Sequence, residues 1–280
     1  MLMLVAVPVD SVLTPLQAFI LGAVQGITEL LPISSSAHLY LVPTLLGWRY
    51  EGVAFDVALH AGTLIALIAA FLDDWLGIAR DANSADPVRR RDARTLFGVI
   101  VLGTIPGLIA GKLLNDVSDQ LRSVPLQAAT LSVFGVLLWA ADRFSPRADT
   151  VRVPSWRTAL GVGLAQCLAL VPGVSRSGIT MTAGRTFGLS RLASARFSFL
   201  LSMPITLAAV MYTLLLKSHE LSNSMPVTTL LVGVVTSAVF GFLAIRFLLR
   251  VLRRTGFGVF ALYRVLLGLG LFAWWGLRPH

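Results

Sequence analysis

Two stretches of this sequence place ionisable and hydroxyl side chains inside otherwise apolar runs. In Val171-Pro-Gly-Val-Ser-Arg-Ser-Gly-Ile-Thr180, Arg176 stands among Ser175, Ser177 and Thr180. An unpaired charge in such a run costs a few kcal/mol or more at membrane depth, so a function should repay it. Pro172 and Gly173 stop one helix and the next begins near Val174, which turns the free N–H groups of a first helical turn toward the Arg176 guanidinium. That combination binds anions. In the other stretch Gln25 and Glu29, four apart, share one helix face ahead of a break at Pro32, and Ile33-Ser34-Ser35-Ser36-Ala37-His38 follows. A carboxylate in such a run should point at a cavity rather than at lipid.

Guanidinium, hydroxyls and helix N-terminal amides suit phosphate, because the guanidinium forks onto paired oxygens and the amides donate to the rest. Glu29 and His38 add an acid, a base or a nucleophile. A carboxylate also offers oxygen to a divalent cation bridging a diphosphate, with Glu29 and then Gln25 as its candidate ligands. Phosphoryl transfer from a membrane-embedded diphosphate is the chemistry these residues predict. His38 or Ser175 attacking phosphorus and Glu29 activating water are alternatives that the sequence leaves open.

The elements that must position these groups are membrane helices. The 280 residues are 56% hydrophobic and 13% charged, with a mean hydropathy of +0.79, values that ordinary soluble domains do not reach. The net charge of +9 comes mostly from arginines in short connections, an orientation signal rather than a nucleic-acid surface. The one cysteine, Cys167, lies in an apolar run, which excludes a disulfide framework and a thiolate metal site. Residues 1–9 carry no basic n-region and no cleavage site, so no removable signal peptide is expected.

Thr14-Pro15 starts a helix that runs to Leu31, and a short apolar piece ends at Gly47. Neither piece spans a bilayer alone, so the pair is expected to form a re-entrant hairpin. Spans follow at 53–72, 95–114 and 125–142, then a second broken hairpin at 158–171 and 178–189, then spans at 197–216, 227–249 and 259–277. The connection with Arg80, Arg89, Arg90, Arg91 and Arg94, the one with Arg143, Arg147, Arg152 and Arg157, and the one with Arg250, Arg253 and Arg254 are expected in the cytoplasm. The turns at 115–124 and 217–226, and both termini, then fall outside. Arg191 and Arg196 mark a further cytoplasmic helix start.

The chain thus reads as one all-α polytopic membrane domain, 1–280, with an inverted-topology repeat. Repeat one covers about 12–142 and repeat two about 158–277, each a re-entrant broken-helix hairpin plus three transmembrane helices. Gln25…Pro32-Ile-Ser-Ser35 matches Gln166…Pro172-Gly-Val-Ser175, and Phe55-Asp…Leu59-His60 matches Phe197-Ser…Leu201-Ser202. The two hairpin tips should therefore meet in one composite site.

Each residue also has a plain structural role open to it. Glu29 could be a carboxylate bonded to an arginine, and Ser34 and Ser36 suit helix capping, with Ser35 divided between capping and substrate. Ser177 could bond backbone. Asp56 and His60, four apart in a span, read first as an internal structural pair and second as a relay behind the site. Trp274-Trp275 reads as an interface anchor, and His219 and His280 as solvent residues. A phosphate-binding P-loop is excluded by the missing Gly-Lys-Ser/Thr, and a nucleophile elbow by the missing second glycine after Ser175. The Pro-Ser-Gly-His signature of other lipid phosphatases is absent.

Gln-Gly-Ile-Thr-Glu-Leu-Leu-Pro-Ile-Ser-Ser-Ser-Ala-His (25–38) and Pro-Gly-Val-Ser-Arg-Ser-Gly-Ile-Thr (172–180) resemble the two signature stretches of the bacterial undecaprenyl-diphosphate phosphatases, the bacitracin-resistance family. The resemblance extends over nearly the whole chain, through Phe197-Ser-Phe-Leu-Leu-Ser-Met-Pro and Tyr263-Arg264. It implies removal of one phosphate from the C55 polyprenyl diphosphate lipid, which regenerates the carrier for peptidoglycan and other envelope glycans and gives bacitracin resistance. It further implies Mg2+ or Ca2+, a bacterial inner-membrane location with a pocket opening on the outer face, and a homodimer. Carried over, Gln25 and Glu29 are the acidic-motif positions and His38 the histidine. Ser35, Ser175, Arg176, Ser177 and Thr180 become the diphosphate-binding set. Position 25 is often glutamate in the family and is glutamine here, which leaves Glu29 as the only carboxylate of the motif. An isoprenyl-phosphate transporter or flippase using the same anion site is the other function class that the sequence allows.

Overall fold

The computed structural model describes residues 13–48, 53–145, 153–216 and 226–277, with the backbone alone at 53–54 and 115–119. Ten α-helices are present among them. They are α1 (Pro15–Leu30), α2 (Ser35–Leu46), α3 (Val53–Asp81), α4 (Pro87–Gln120), α5 (Val124–Phe144), α6 (Trp156–Gln166), α7 (Arg176–Thr186), α8 (Arg191–Leu216), α9 (Val227–Leu252) and α10 (Gly258–Gly276). One order occurs twice, a pair of short helices around a break and then three long ones. Six helices, α3, α4, α5, α8, α9 and α10, are long and apolar enough to cross a membrane. Large apolar side chains such as Leu113, Leu215, Val259 and Leu266 face outward, the surface expected of helices in hydrocarbon.

Local chemistry sets the ends. Thr14 caps α1 with a capping box to Gln17, and Pro15 follows at the first helical position. The Asp86 carboxylate accepts from Val88 N at 2.8 Å, so α4 begins at Pro87 and carries Arg89, Arg90, Arg91 and Arg94 on its first turns. Those arginines were expected in a loop. Helix α3 likewise runs on past the expected end at 72, through a non-helical residue at Phe71, to Asp81. Neither continuation reads as apolar span on its own, yet no Pro breaks α3 there, Gly77 stays helical, and Ile78 still packs in the core. The turn expected at 115–124 shortens for the same reason, since α4 continues to Gln120. The second hairpin has a 3-10 turn at Cys167–Leu170 between α6 and the break, and α7 starts at Arg176 rather than near Val174. Residues 1–9, Arg147, Arg152, His219 and His280 lie outside the described residues.

Close helix contacts hold the hairpins in place. A Cβ on Gly26 of α1 would stand 2.5 Å from Ser237 O of α9, and one on Gly22 would stand 2.4 Å from Gly233 O. Small residues here let backbones touch, the packing that membrane helices use in place of a hydrophobic drive. Helix α9 lies against α1 and α3, α4 against α6 and α8, and α10 against α5. At the other end of α8, buried Asp142 accepts from Arg191 Nε at 2.6 Å, Arg191 Nη2 at 3.0 Å and Phe257 N at 3.0 Å.

Candidate active site

Both breaks end in a serine with backbone in the left-handed region, Ser34 at φ +77° and Ser175 at φ +73°. A non-glycine residue there is strained, and such strain gathers at functional sites. The two match in position and in one side-chain contact. Each precedes the first residue of a helix, and each hydroxyl lies 3.2 Å from the hydroxyl two residues on, Ser36 or Ser177. Ser175 Oγ accepts from Gly178 N at 3.1 Å and caps α7. Ser34, expected to cap, makes no such bond.

The tips are tied to each other. Ser177 Oγ donates to Leu31 O at 2.9 Å, and Gly173 N donates to Ser36 Oγ at 3.5 Å. Arg264 of α10, fully buried, donates to Pro32 O at 3.3 Å, Gly173 O at 3.1 Å, Val174 O at 2.9 Å and Leu131 O at 3.4 Å. One guanidinium thus spans both broken segments, a use of five planar donors that lysine could not copy.

This scaffold brings Glu29 to Arg176. The Arg176 Nη2 group donates to Glu29 Oε1, and the Ser35 hydroxyl donates to Oε2. Gln25 Nε2 reaches Oε2 at 3.4 Å, and His60 Nε2 lies 3.2 Å from the same oxygen. His60 Nδ1 donates to Asp56 O at 2.7 Å; the carbonyl only accepts, so a proton must also lie between Nε2 and the carboxylate. Arg176 Nη1 continues to Thr206 Oγ1 at 2.7 Å and Ser202 O at 3.4 Å on α8. These groups open on a cavity of about 230 Å³. Its polar lining comprises Glu29, Ser35, Ser36, Asp56, His60, Arg122, Gln166, Ser175, Arg176 and Thr206.

Of the residues singled out from sequence, Glu29, Ser35, Ser175 and Arg176 line this cavity, and Gln25 stands buried behind Glu29. Ser177 and Thr180 do not line it. Thr180 Oγ1 bonds Arg176 O at 2.7 Å and Ser198 Oγ at 2.7 Å, which fixes the first turn of α7. Nor does His38, whose Nδ1 donates to Ser34 O at 2.7 Å and whose Nε2 lies 2.7 Å from Tyr263 Oη, the rings stacked at 5.8 Å. His60, read first as the partner of Asp56, stands on Glu29 instead, while the Asp56 carboxylate pairs with Arg122 Nη1 at 2.9 Å. Gln166 was marked only by its match to Gln25 in the repeat, and Arg122 and Thr206 carried no mark of this role beyond being polar in or beside apolar runs.

Comparison with known proteins gives the family. The sequence profile described as bacitracin resistance protein BacA matches residues 18–270. The chain belongs to the BacA family. Among curated relatives, an undecaprenyl-diphosphatase of Gemmatimonas aurantiaca is 52% identical over 266 residues, 93% of this chain and 98% of the relative. An undecaprenyl-diphosphatase of Geotalea daltonii is 46% identical over 259 residues, 90% and 95% of the two chains. One of Stutzerimonas stutzeri, named undecaprenyl-diphosphatase 2, is 48% identical over 261 residues, 90% and 95%. As a BacA-family member with six helices fit to cross a bilayer, the protein is a multi-pass bacterial membrane protein.

The cation that the resemblance implies finds few oxygen ligands here. Hard divalent cations want several oxygens, and the motif offers one carboxylate whose two oxygens already hold Arg176, Ser35, Gln25 and His60. Among the described residues no group of three or more His, Cys, Asp or Glu could hold a metal. Glu29 and Gln25 therefore fit a protein-held cation poorly, and no step below runs through one.

Proposed function

We propose that this protein is an integral-membrane undecaprenyl-diphosphate phosphatase, as its relatives are named, cleaving the lipid diphosphate to the lipid monophosphate and inorganic phosphate. The observation that carries the reading is the meeting of Ser35, Glu29 and Arg176 on one cavity between the two hairpins. A hydroxyl donating to a carboxylate beside a guanidinium is the arrangement of a nucleophile, its base and the clamp for the anion it attacks.

In this reading Arg176, with the Ser175 hydroxyl, holds the terminal phosphate in the cavity. Ser35 Oγ attacks the terminal phosphorus as its proton passes to Glu29 Oε2, and the bond from that phosphorus to the bridging oxygen breaks. The bridging oxygen leaves with the lipid monophosphate, which is anionic and needs no acid to depart. Water then attacks the phosphoserine and its protons stay on the phosphate released, while Glu29 returns its proton to the departing Ser35 Oγ, which restores the Ser35 hydroxyl and the Glu29 carboxylate. Gln25 and His60 keep Oε2 aimed at Ser35, and His60 supplies the proton shared with that oxygen. His38 enters as a positioning residue that holds Tyr263 beside Arg264.

The remaining elements of the reading are the inverted relation of the two halves, the pocket's opening to the periplasmic face, the homodimer, and a divalent cation arriving with the diphosphate. Cysteine labelling from the two sides of the membrane tests the orientation, and cross-linking in membranes tests the dimer. The transporter reading gains no support from the relatives and is not retained. The test of the chemistry is acid quenching during turnover of substrate labelled in its terminal phosphate. Label on Ser35 supports the covalent step, and label only in free phosphate with Ser35→Ala still active overturns it.

A further inference from the structure

We propose that Arg122, paired with Asp56, is the second cationic subsite of the cavity and takes the lipid-side phosphate of the diphosphate. This rests on the reading above and says which end of the substrate lies where. The Arg122 side chain lines the same cavity as Arg176 and is 11% exposed, with Nη1 2.9 Å from Asp56 Oδ2. Both Asp56 and Glu29 line that cavity too, so it holds two arginine–carboxylate pairs. They are linked by one turn of α3. The Asp56 carbonyl receives His60 Nδ1 at 2.7 Å and His60 Nε2 lies 3.2 Å from Glu29, so one imidazole bridges the two pairs along the wall of a single cavity. Two joined phosphates suit two such neighbouring cationic groups.

The chemistry fixes the order. Ser35 and Glu29 stand at the Arg176 end, so the phosphorus attacked is the one Arg176 holds. The phosphate still bonded to the lipid is left for Arg122. That residue lies two positions before Val124, the first residue of a membrane-spanning helix, and so at the level where lipid phosphates sit. A diphosphate carries charge on both phosphates, and Arg176 is already shared among Glu29, Thr206 and Ser202. A guanidinium with five donors keeps its carboxylate and takes a phosphate as well, which an ammonium does poorly. Arg122 would also stabilise the charge that gathers on the leaving lipid phosphate.

The test uses two competitive inhibitors of undecaprenyl diphosphate hydrolysis by the detergent-purified full chain. Undecaprenyl monophosphate reads the lipid-side subsite, and inorganic phosphate reads the terminal one. Arg122→Gln raises the inhibition constant of the lipid monophosphate by about tenfold or more, the weight of one charged hydrogen bond, and leaves that of inorganic phosphate within about threefold. Because Arg122→Gln also exposes the substrate to an unneutralised Asp56, the Asp56→Asn/Arg122→Gln double variant decides between a subsite and a mere counter-ion. The same tenfold loss in the double variant supports the proposal. Recovery of wild-type inhibition constants there, or equal shifts for both inhibitors, overturns it. If folded wild type releases no phosphate, the phosphatase reading falls and this inference with it; if wild type is active and the two constants keep their ratio in both variants, the inference alone falls.

Discussion

Arg264→Leu tests whether the two hairpin tips are held from behind. Replacing a buried ion pair by apolar residues can be neutral because both partners go, but Arg264 donates to the carbonyls of Pro32, Gly173, Val174 and Leu131, which no substitution at 264 removes. Hydrogen bonds to charged groups contribute about 1.5–3 kcal/mol, and a buried acceptor left bare costs about 1–3 kcal/mol. Counting only the two shorter bonds, at 2.9 and 3.1 Å, the loss is roughly 3–6 kcal/mol. At roughly 2–4 °C per kcal/mol for a domain approaching this size, the melting temperature should fall by about 6 °C or more. The assay is thermal unfolding of the detergent-purified protein, paired with phosphate release at a temperature where the variant is folded. Activity should fall by more than the unfolded fraction accounts for, because three of the carbonyls that Arg264 grips, on Pro32, Gly173 and Val174, belong to the breaks that end at Ser34 and Ser175. Arg264→Lys should recover little, since a point charge cannot span both breaks. A melting temperature within about 2 °C of wild type together with full activity would refute the clamp.

Four further outcomes are expected. His60→Ala lowers kcat about tenfold or more, with His60→Gln retaining part of it, because Glu29 Oε2 loses a charged partner at 3.2 Å; steady-state kinetics on both variants checks this. Gln25→Glu places a second carboxylate beside Glu29 and lowers the Mg2+ or Ca2+ concentration needed for half-maximal activity by about tenfold or more, read by cation titration. Asp142→Ala strips buried Arg185 and partly exposed Arg191 of their carboxylate away from the cavity and costs about 3–5 kcal/mol of stability, mainly through Arg185, while kcat of the folded fraction holds; unfolding and turnover measured together separate the two. Gly26→Ala drives a methyl into Ser237 O and destabilises by about 1–3 kcal/mol, seen as a lower melting temperature in micelles.

Much of this architecture was legible because the bilayer forbids so much. Thr14-Pro15 and Pro172-Gly173 mark helix ends by rules that hold in any solvent, and apolar runs of about twenty residues admit few other readings. Glu29 and Arg176 stood out because charge in such runs needs a partner, and each is the other's partner. The extension of α3 to Asp81 and of α4 from Pro87 to Gln120 was not legible from hydropathy, which marks where a helix leaves lipid and not where it ends. His60 was read only second as a relay behind the site, and Arg122 not at all, because their positions come from packing of α3 against α1 and from the α4–α5 connection, contacts with no local sequence signal. The expected direct involvement of Thr180 came from its motif, whereas its hydroxyl is spent on the backbone of α7 and on Ser198.

The account's central claim is that Glu29 and Arg176, joined at one cavity, perform phosphate release. Its most direct test is phosphate release from undecaprenyl diphosphate by detergent-purified wild type, Glu29→Ala and Arg176→Ala, each present in membranes at wild-type levels. The account predicts release by wild type and a loss of about a hundredfold or more in both variants. Full hydrolysis by either variant, or none by folded wild type with Mg2+ or Ca2+ supplied, would contradict it.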